Sequence, residues 1–216
     1  MYQILGIRRS LSLFGLLCAL VFTAWAILAP PTDQSSFVGW WQIASEAVFA
    51  CGTAVTLVGQ SPFFALLCRL PLVRNWFPPI DGEWKAILES NWPAIQQRAC
   101  PGAASVPLVA VPATVTIIAR LFYIRMNLIS DSRYSTSKTI FVRATRDPED
   151  GSVTLHCHYE NTTKVPETTD SSSHYGAANL CVERQGDNIW LEGVYWTNRN
   201  WHLGLNTAGK MTLRRA

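Results

Sequence analysis

Residues 10–32 carry no charged side chain, and no other feature limits the possible folds so strongly. The centre of that run, Leu11 to Ala29, is 19 residues long. As a helix it would measure ~28 Å, close to the ~30 Å hydrocarbon core of a bilayer. A second uncharged run, Ala47–Cys68, contains Gly52, Gly59 and Pro62, which membrane helices tolerate when neighbours re-satisfy the backbone. Between Ser10 and Cys68 the only charges are Asp33 and Glu46. The pattern predicts two transmembrane helices, about residues 11–30 and 45–68. A short loop with Pro30, Pro31, Trp40 and Trp41 would join them, its tryptophans at the membrane interface.

A cleaved signal peptide is the rival reading, with Arg8 and Arg9 as its basic start and Ala24-Trp25-Ala26 as a cleavage site. The apolar run is longer than such peptides need, and a second span follows, which favours an anchor. Arg8 and Arg9 precede the first span, Arg69 and Arg74 follow the second, and the intervening loop has no Lys or Arg. The positive-inside rule then places both termini in the cytoplasm and leaves a hairpin, crossing the membrane twice, whose tip faces out. Residues 1–77 form this anchor and residues 78–216 a cytosolic domain.

The rest of the chain is suited to water. Residues 69–216 hold 16 of the 18 Lys and Arg and 13 of the 15 Asp and Glu. A net charge of +3 excludes a basic nucleic-acid arm, and no DNA or RNA polymer is expected as a partner. After Pro78-Pro79, short runs rich in Val, Ile, Thr, Tyr and Trp alternate with turn clusters such as Asp147–Gly151 and Gln185–Asn188. Strands are predicted near 82–90, 113–129, 137–146, 151–160, 174–184, 187–197, 200–205 and 209–214, with a short helix at 92–98. Opposite parity of Arg120 and Arg125 predicts a bulge or bend near 122–124 in the second strand. Thr162–Ser173 reads as a long loop. Alternation in Val153–Tyr159 and Ile189–Thr197 marks one buried face. The fold class is membrane-anchored all-β: two helices, then a small, roughly eight-stranded antiparallel β-barrel, with a two-sheet sandwich as the alternative.

The chemistry of catalysis is missing from the motifs. There is no GxSxG elbow, phosphate-binding glycine-lysine loop, HExxH or GxGxxG. His156 and His158 share a strand face but lack a third metal ligand. They read as an exposed pair on the outside of the barrel, and His174 beside Ser171-Ser172-Ser173 reads as a polar loop end. Asn161-Thr162-Thr163 matches a glycosylation acceptor, without meaning in a cytosolic domain. Cys18, Cys51, Cys68, Cys100, Cys157 and Cys181 include no CxxC pair and fit a reducing compartment. What remains is fit for binding: aromatic faces that stack on bases and guanidinium forks that hold phosphate.

Several segments, in order, resemble the bacterial antiphage effectors with two transmembrane helices and a β-strand-rich domain, part of the cyclic-oligonucleotide signalling system CBASS. They are the two spans, Pro79-Ile80-Asp81-Gly82-Glu83-Trp84 and Glu89-Ser90-Asn91-Trp92, then the strand Val115 to Leu128. The Ser-rich Ser130–Ser137 follows, then His174-Tyr175-Gly176-Ala177-Ala178-Asn179-Leu180. Leu191-Glu192-Gly193-Val194-Tyr195-Trp196-Thr197-Asn198-Arg199 and Gly209 to Leu213 close the series. Arg120 departs from the pattern, standing where the family's strand often has Gln, which would alter pocket polarity.

The resemblance implies a barrel that binds a cyclic dinucleotide, self-association of the protein into a homo-oligomer, and spans that disrupt membrane lipids to kill the infected cell. Combined with side-chain chemistry, it nominates Arg133, Ser135, Ser137, Tyr195, Thr197 and Arg199 as ligand contacts, with Trp84 and Tyr159 as stacking partners. It implies no catalytic residue, metal or cofactor. The main alternative is a membrane-anchored, lipocalin-like barrel carrying a lipid or apolar ligand. A barrel hydrolase using His174 or the His156/His158 pair, and a plain interaction domain, are weaker alternatives.

Overall fold

A computed structural model describes residues 1–33, 37–97, 106–131, 135–166 and 171–216. The chain divides into two units. One is helical and spans residues 2–77 together with 120–122; the other holds Met1, 78–119 and 123–216.

The helical unit contains α1 (Ile7–Leu28), α2 (Phe37–Gln60), α3 (Pro62–Leu67) and α4 (Pro71–Arg74). Both α1 and α2 are long and apolar enough to cross a membrane. No residue of α1 is buried, which leaves its leucines as a continuous exposed apolar surface. On α2, Ile43, Ala47 and Cys51 are buried at four-residue spacing, the stripe expected of one packed helix face. Two boundaries differ from the sequence expectation. The second span begins at Phe37, so Trp40 and Trp41 lie in its first turns rather than in the loop. It also stops at Gln60 instead of running to Cys68, because Pro62 cannot donate to the helical ladder. Ser61 instead caps α3, its Oγ accepting from the Phe63 N–H at 3.2 Å. Residues 120–122 belong to this unit through Leu121, whose N–H donates to Gly59 O and whose carbonyl accepts from Tyr2 N–H, each at 2.8 Å.

The second unit comprises β1 (Gly82–Ser90), α5 (Trp92–Gln97), β2 (Val109–Ala119), β3 (Ile124–Ser130), β4 (Ser135–Arg146), β5 (Val153–Thr163), β6 (Ser173–Gln185), β7 (Asn188–Thr197) and β8 (Ala208–Arg215). The eight strands pair antiparallel in chain order, and β8 pairs with β1 to close a barrel. The barrel expectation is borne out, and the sandwich is excluded by that closure. The predicted short helix is α5.

Eight strands were expected, but two of the eight were misassigned. The predicted strand 113–129 is a hairpin, β2 and β3, paired from Ala113↔Ser130 to Ala119↔Ile124. Its turn, Arg120-Leu121-Phe122-Tyr123, has no Gly, Pro, Asn or Asp to announce it. The bulge instead falls in β4, between Thr139 and Phe141. The predicted strand 200–205 is a single 3₁₀ turn, Trp201–Leu203, between left-handed Asn200 (φ 40°) and Gly204 (φ 70°); such backbone cannot continue a strand. The expected loop 162–173 is also shorter, since β5 runs to Thr163 and β6 starts at Ser173.

Closure demands close backbone approach inside. A β-carbon on Gly193 would collide with the Asn179 carbonyl, and one on Gly209 with that of Glu89. Only glycine lets the neighbouring strands curve past these points. Inward positions follow the pairing: Trp84, Val115 and Leu128 lie on one face, as do Leu155, Leu180, Leu191 and Leu213. The last four are 0% exposed.

Candidate ligand-binding site

The barrel interior changes character along its axis. At the end where the β2–β3, β4–β5 and β6–β7 turns lie, it is apolar. Trp84 and Ile80 are fully buried there, and the Trp84 indole N–H donates to Ile80 O at 2.9 Å. Arg215 lies over the Trp84 ring at 4.5 Å and donates to the carbonyls of Asp81, at 2.7 Å, and Pro79. Asp81 Oδ2 in turn accepts from Ala119 N–H at 2.9 Å. These contacts fasten the start of β1 to the end of β8 and shut that end.

At the opposite end lie Ser90, Ser130, Ser137, Asn161, Thr163, Thr197 and Thr207, the buried polar residues among those described. Ser90, Ser137, Asn161, Thr163, Thr197 and Thr207 are hydrogen-bonded to neighbouring uncharged groups. The Asn161 amide donates to Ser135 Oγ and Ser137 Oγ, both at 2.8 Å, while its Oδ1 accepts from Ser135 at 3.1 Å and Thr163 at 3.4 Å. Across the chamber, the Thr197 and Thr207 hydroxyls share a 2.9 Å bond, and Thr207 N–H donates to Thr197 Oγ1 at 3.2 Å. Tyr195 is buried with its side chain hydrogen-bonded to Ser90. Burial raises the Tyr159 and Tyr195 hydroxyls above the ordinary phenol value, so both stay neutral at physiological pH. Burial also pushes the Cys157 thiol up to about 12, leaving it inert.

Charge is kept for the rim. Two residues beyond Thr197, the Arg199 guanidinium lies over the Trp92 ring at 4.5 Å. Trp92 starts α5, and its N–H donates to Ser90 Oγ at 3.2 Å. The hydroxyl, amide and phenol groups of this interior, with the His174 imidazole on the same inward face, match the edges of bases and ribose. A cation on an aromatic plate at the rim matches phosphate and a stacked ring.

Of the nominated residues, Ser135, Ser137, Thr197 and Arg199 come together at this polar end, with Tyr159 and Tyr195 just below. Trp84 does not join them; it fills the other end. Arg133 lies outside the described residues. Arg120 sits in the β2–β3 turn, between Ala119 and Ile124. His156 and His158 are on the outer wall as expected. His156 bridges Thr145 and Asn179 at 2.9 Å each, and His158 stacks against Tyr175 with ring centroids 5.9 Å apart. His174 is not a loop end: it lies on β6 opposite Asn161, on the inward face.

Asn161 and Thr163 were missed, although the signal was present. The inward alternation Leu155, Cys157, Tyr159 continues through both, while the glycosylation triplet drew attention to the wrong chemistry. Among the described residues no group of three His, Cys, Asp or Glu could hold a metal ion. Between the two ends the core leaves a cavity of about 50 Å³, lined by Leu88, Val115, Met126 and Leu180 among others.

Residues 76–215 match the family described as "Cap15, cyclic dinucleotide receptor domain". The chain belongs to this family. The match covers the whole barrel and begins just before it. A curated relative, CD-NTase-associated protein 15 of Escherichia albertii, is 31% identical over 144 residues, 66% of this chain and 64% of the relative. The matched stretch thus spans a little under two thirds of that relative. The Cap15 family bears out the resemblance carried by the ordered motifs, from the Trp84 segment to the closing glycine strand.

Proposed function

We propose that this Cap15-family protein is a membrane-anchored effector of CBASS antiphage defence, and that its barrel receives a cyclic dinucleotide at the polar end. One observation carries the reading: the buried polar side chains of the described barrel gather at one end, all uncharged, beneath a rim where Arg199 lies on Trp92. Bases enter the polar end and the phosphates stay outside with Arg199; Arg133 is a further proposed phosphate contact. Ser135, Ser137, Asn161, Thr163, Thr197 and Tyr195 supply hydrogen bonds, and Tyr159 and Trp92 supply ring faces. Trp84 keeps the far end closed. Ligand binding drives self-association, and the two spans then disrupt the inner membrane and cause abortive death. The distribution of Arg8, Arg9, Arg69 and Arg74 supports a cytoplasmic barrel. Nothing in this role requires catalysis.

The test is titration of the full-length protein in lipid nanodiscs with a panel of cyclic dinucleotides, with mass followed by light scattering in detergent and leakage followed in dye-loaded vesicles. Micromolar or tighter binding of one member, with ligand-dependent mass and leakage, is the expected result. A folded protein that binds none of the panel would refute the reading.

A further inference from the structure

The helical unit holds an open groove of about 980 Å³ between α1 and the second half of α2. Ile7, Leu11 and Phe14 face it from α1, and Gly52, Val55 and Gly59 from α2. Both sets recur every three or four residues, so each helix presents one face. None of the described residues lining the groove is charged. The Ser10 hydroxyl is turned back onto its own helix, donating to Gly6 O at 2.9 Å. A β-carbon on Gly52 would meet no atom within 4 Å, which leaves the groove open at that point. On α1 the lining runs from Ile7 to Leu17, ~15 Å of helix, about half of the ~30 Å hydrocarbon core and so one leaflet deep.

Charge is sorted along the same hairpin. Arg8 and Arg9 are exposed between groove-lining Ile7 and Ser10, and Arg69 is exposed just beyond groove-lining Leu67. The acidic residues of this stretch, Asp33 and Glu46, lie in the α1–α2 loop and in the first half of α2, and neither lines the groove. An apolar slot one leaflet deep, with guanidinium groups where it reaches the membrane surface, complements an anionic lipid. The slot takes hydrocarbon, and the guanidinium groups take phosphate.

We propose that this groove binds one anionic phospholipid of the cytoplasmic leaflet, with an acyl chain against Gly52 and the headgroup held by Arg8, Arg9 and Arg69. The inference rests on α1 and α2 crossing the membrane with these arginines on the cytoplasmic side. A zwitterionic lipid with the same chains fits the apolar slot equally well, so the arginines set the selectivity. A helix of a second copy would also fill apolar space, but it brings no anion to the arginines.

The experiment titrates the full-length protein in nonionic detergent with phosphatidylglycerol or phosphatidylcholine of identical acyl chains, and counts bound lipid by native mass spectrometry. Wild type is compared with Gly52→Phe, with the double substitution Arg8→Gln and Arg9→Gln, and with Gly15→Phe. The last adds the same bulk to α1 outside the groove. Wild type is expected to prefer phosphatidylglycerol by about tenfold or more, since each arginine near an anionic headgroup adds to the attraction. Gly52→Phe is expected to lose most bound lipid of either kind, and Gly15→Phe to lose none. The arginine pair is expected to erase most of the preference while retaining phosphatidylcholine. A wild type without preference, or a Gly52→Phe that binds like wild type, overturns the site. A lipid-free dimer that dissociates in Gly52→Phe assigns the groove to a second copy and overturns it equally. Carbonate extraction of membranes tests the underlying reading: release of the wild type refutes the spans, whereas retention without lipid preference refutes the site alone. Thermal melts check folding. If Gly52→Phe unfolds, the arginine pair decides, and an unchanged preference there overturns the proposal.

Discussion

The two ends of the barrel are built from the same strands, yet they solve opposite problems. At the apolar end, Trp84, Ile80, Leu155, Leu191 and Leu213 are buried without residual exposure, and the Trp84 indole, the Arg215 guanidinium and the Asp81 carboxylate are tied to backbone groups. At the polar end the buried groups are hydroxyls and an amide, and Ser137, Asn161, Thr197 and Thr207 spend hydrogen bonds on their neighbours. Apolar burial stabilises by ~25 cal/mol per Å² of surface removed from water. A paired neutral hydrogen bond adds only ~0.5–1.5 kcal/mol net. Stability therefore concentrates at one end, while the other keeps groups that can exchange partners with a ligand at modest cost.

The sharpest way to break this division is Trp84→Ala. It should lower stability by ~3–5 kcal/mol, the usual cost of deleting a packed aromatic, and leave affinity unchanged while the barrel is folded. Chemical denaturation paired with ligand titration checks both halves. Loss of affinity without loss of stability would place Trp84 in the site after all. Next in size, Arg199→Ala should weaken cyclic dinucleotide binding by ~1.5–3 kcal/mol, the worth of a charge-assisted hydrogen bond, with little change in the melting curve. The same substitution should flatten the salt dependence of binding.

Asn161→Ala blurs the comparison, because that residue serves both ends of the trade. Removing its amide leaves Ser135 and Ser137 short of a partner, and a stability loss of ~1–3 kcal/mol is expected together with weaker binding. A loss in only one of the two measurements would show that the network belongs to one function. The smallest effect belongs to the outer wall, where Lys210 Nζ and Glu192 Oε1 are 2.7 Å apart and both side chains are solvated. The hydrogen bond from Lys210 holds the Glu192 carboxyl below its ordinary value. Its contribution is present above the unfolded carboxylate pKa and fades as the pH falls through the lowered folded value. Solvent screening keeps it small. Glu192→Gln should flatten that acid limb slightly in melts taken across pH 3–6, and should leave binding alone.

Much of the fold was legible in local pattern. Nineteen uncharged residues are the length of a bilayer, and Pro62 could have been read as the end of the second helix. Strands announced themselves where turn residues bounded them, as at Asp147–Gly151 and Gly186-Asp187. The β2–β3 hairpin was illegible because its turn uses Arg, Leu, Phe and Tyr, residues that ordinarily continue a strand. The backbone there is instead satisfied through Leu121, Gly59 and Tyr2, partners far away in sequence. The proposed site was half legible: Tyr195, Thr197 and Arg199 lie together in one motif, but Asn161 of the polar end stood apart from it and Trp84 was grouped with them although it lies at the other end.

Trp84 marks the division between what sequence and tertiary structure each decide. By itself the sequence determined which residues face inward, since side chains alternate every residue and parity is a local property. It determined the two apolar spans for the same reason, because length and charge can be counted. Height along the barrel axis is another matter. It depends on how far each strand is shifted against its neighbours, and that register is fixed only when β8 meets β1 and the ring closes. Trp84, Tyr159 and Tyr195 share the inward parity, yet closure sends the first to the apolar end and the other two towards the polar end.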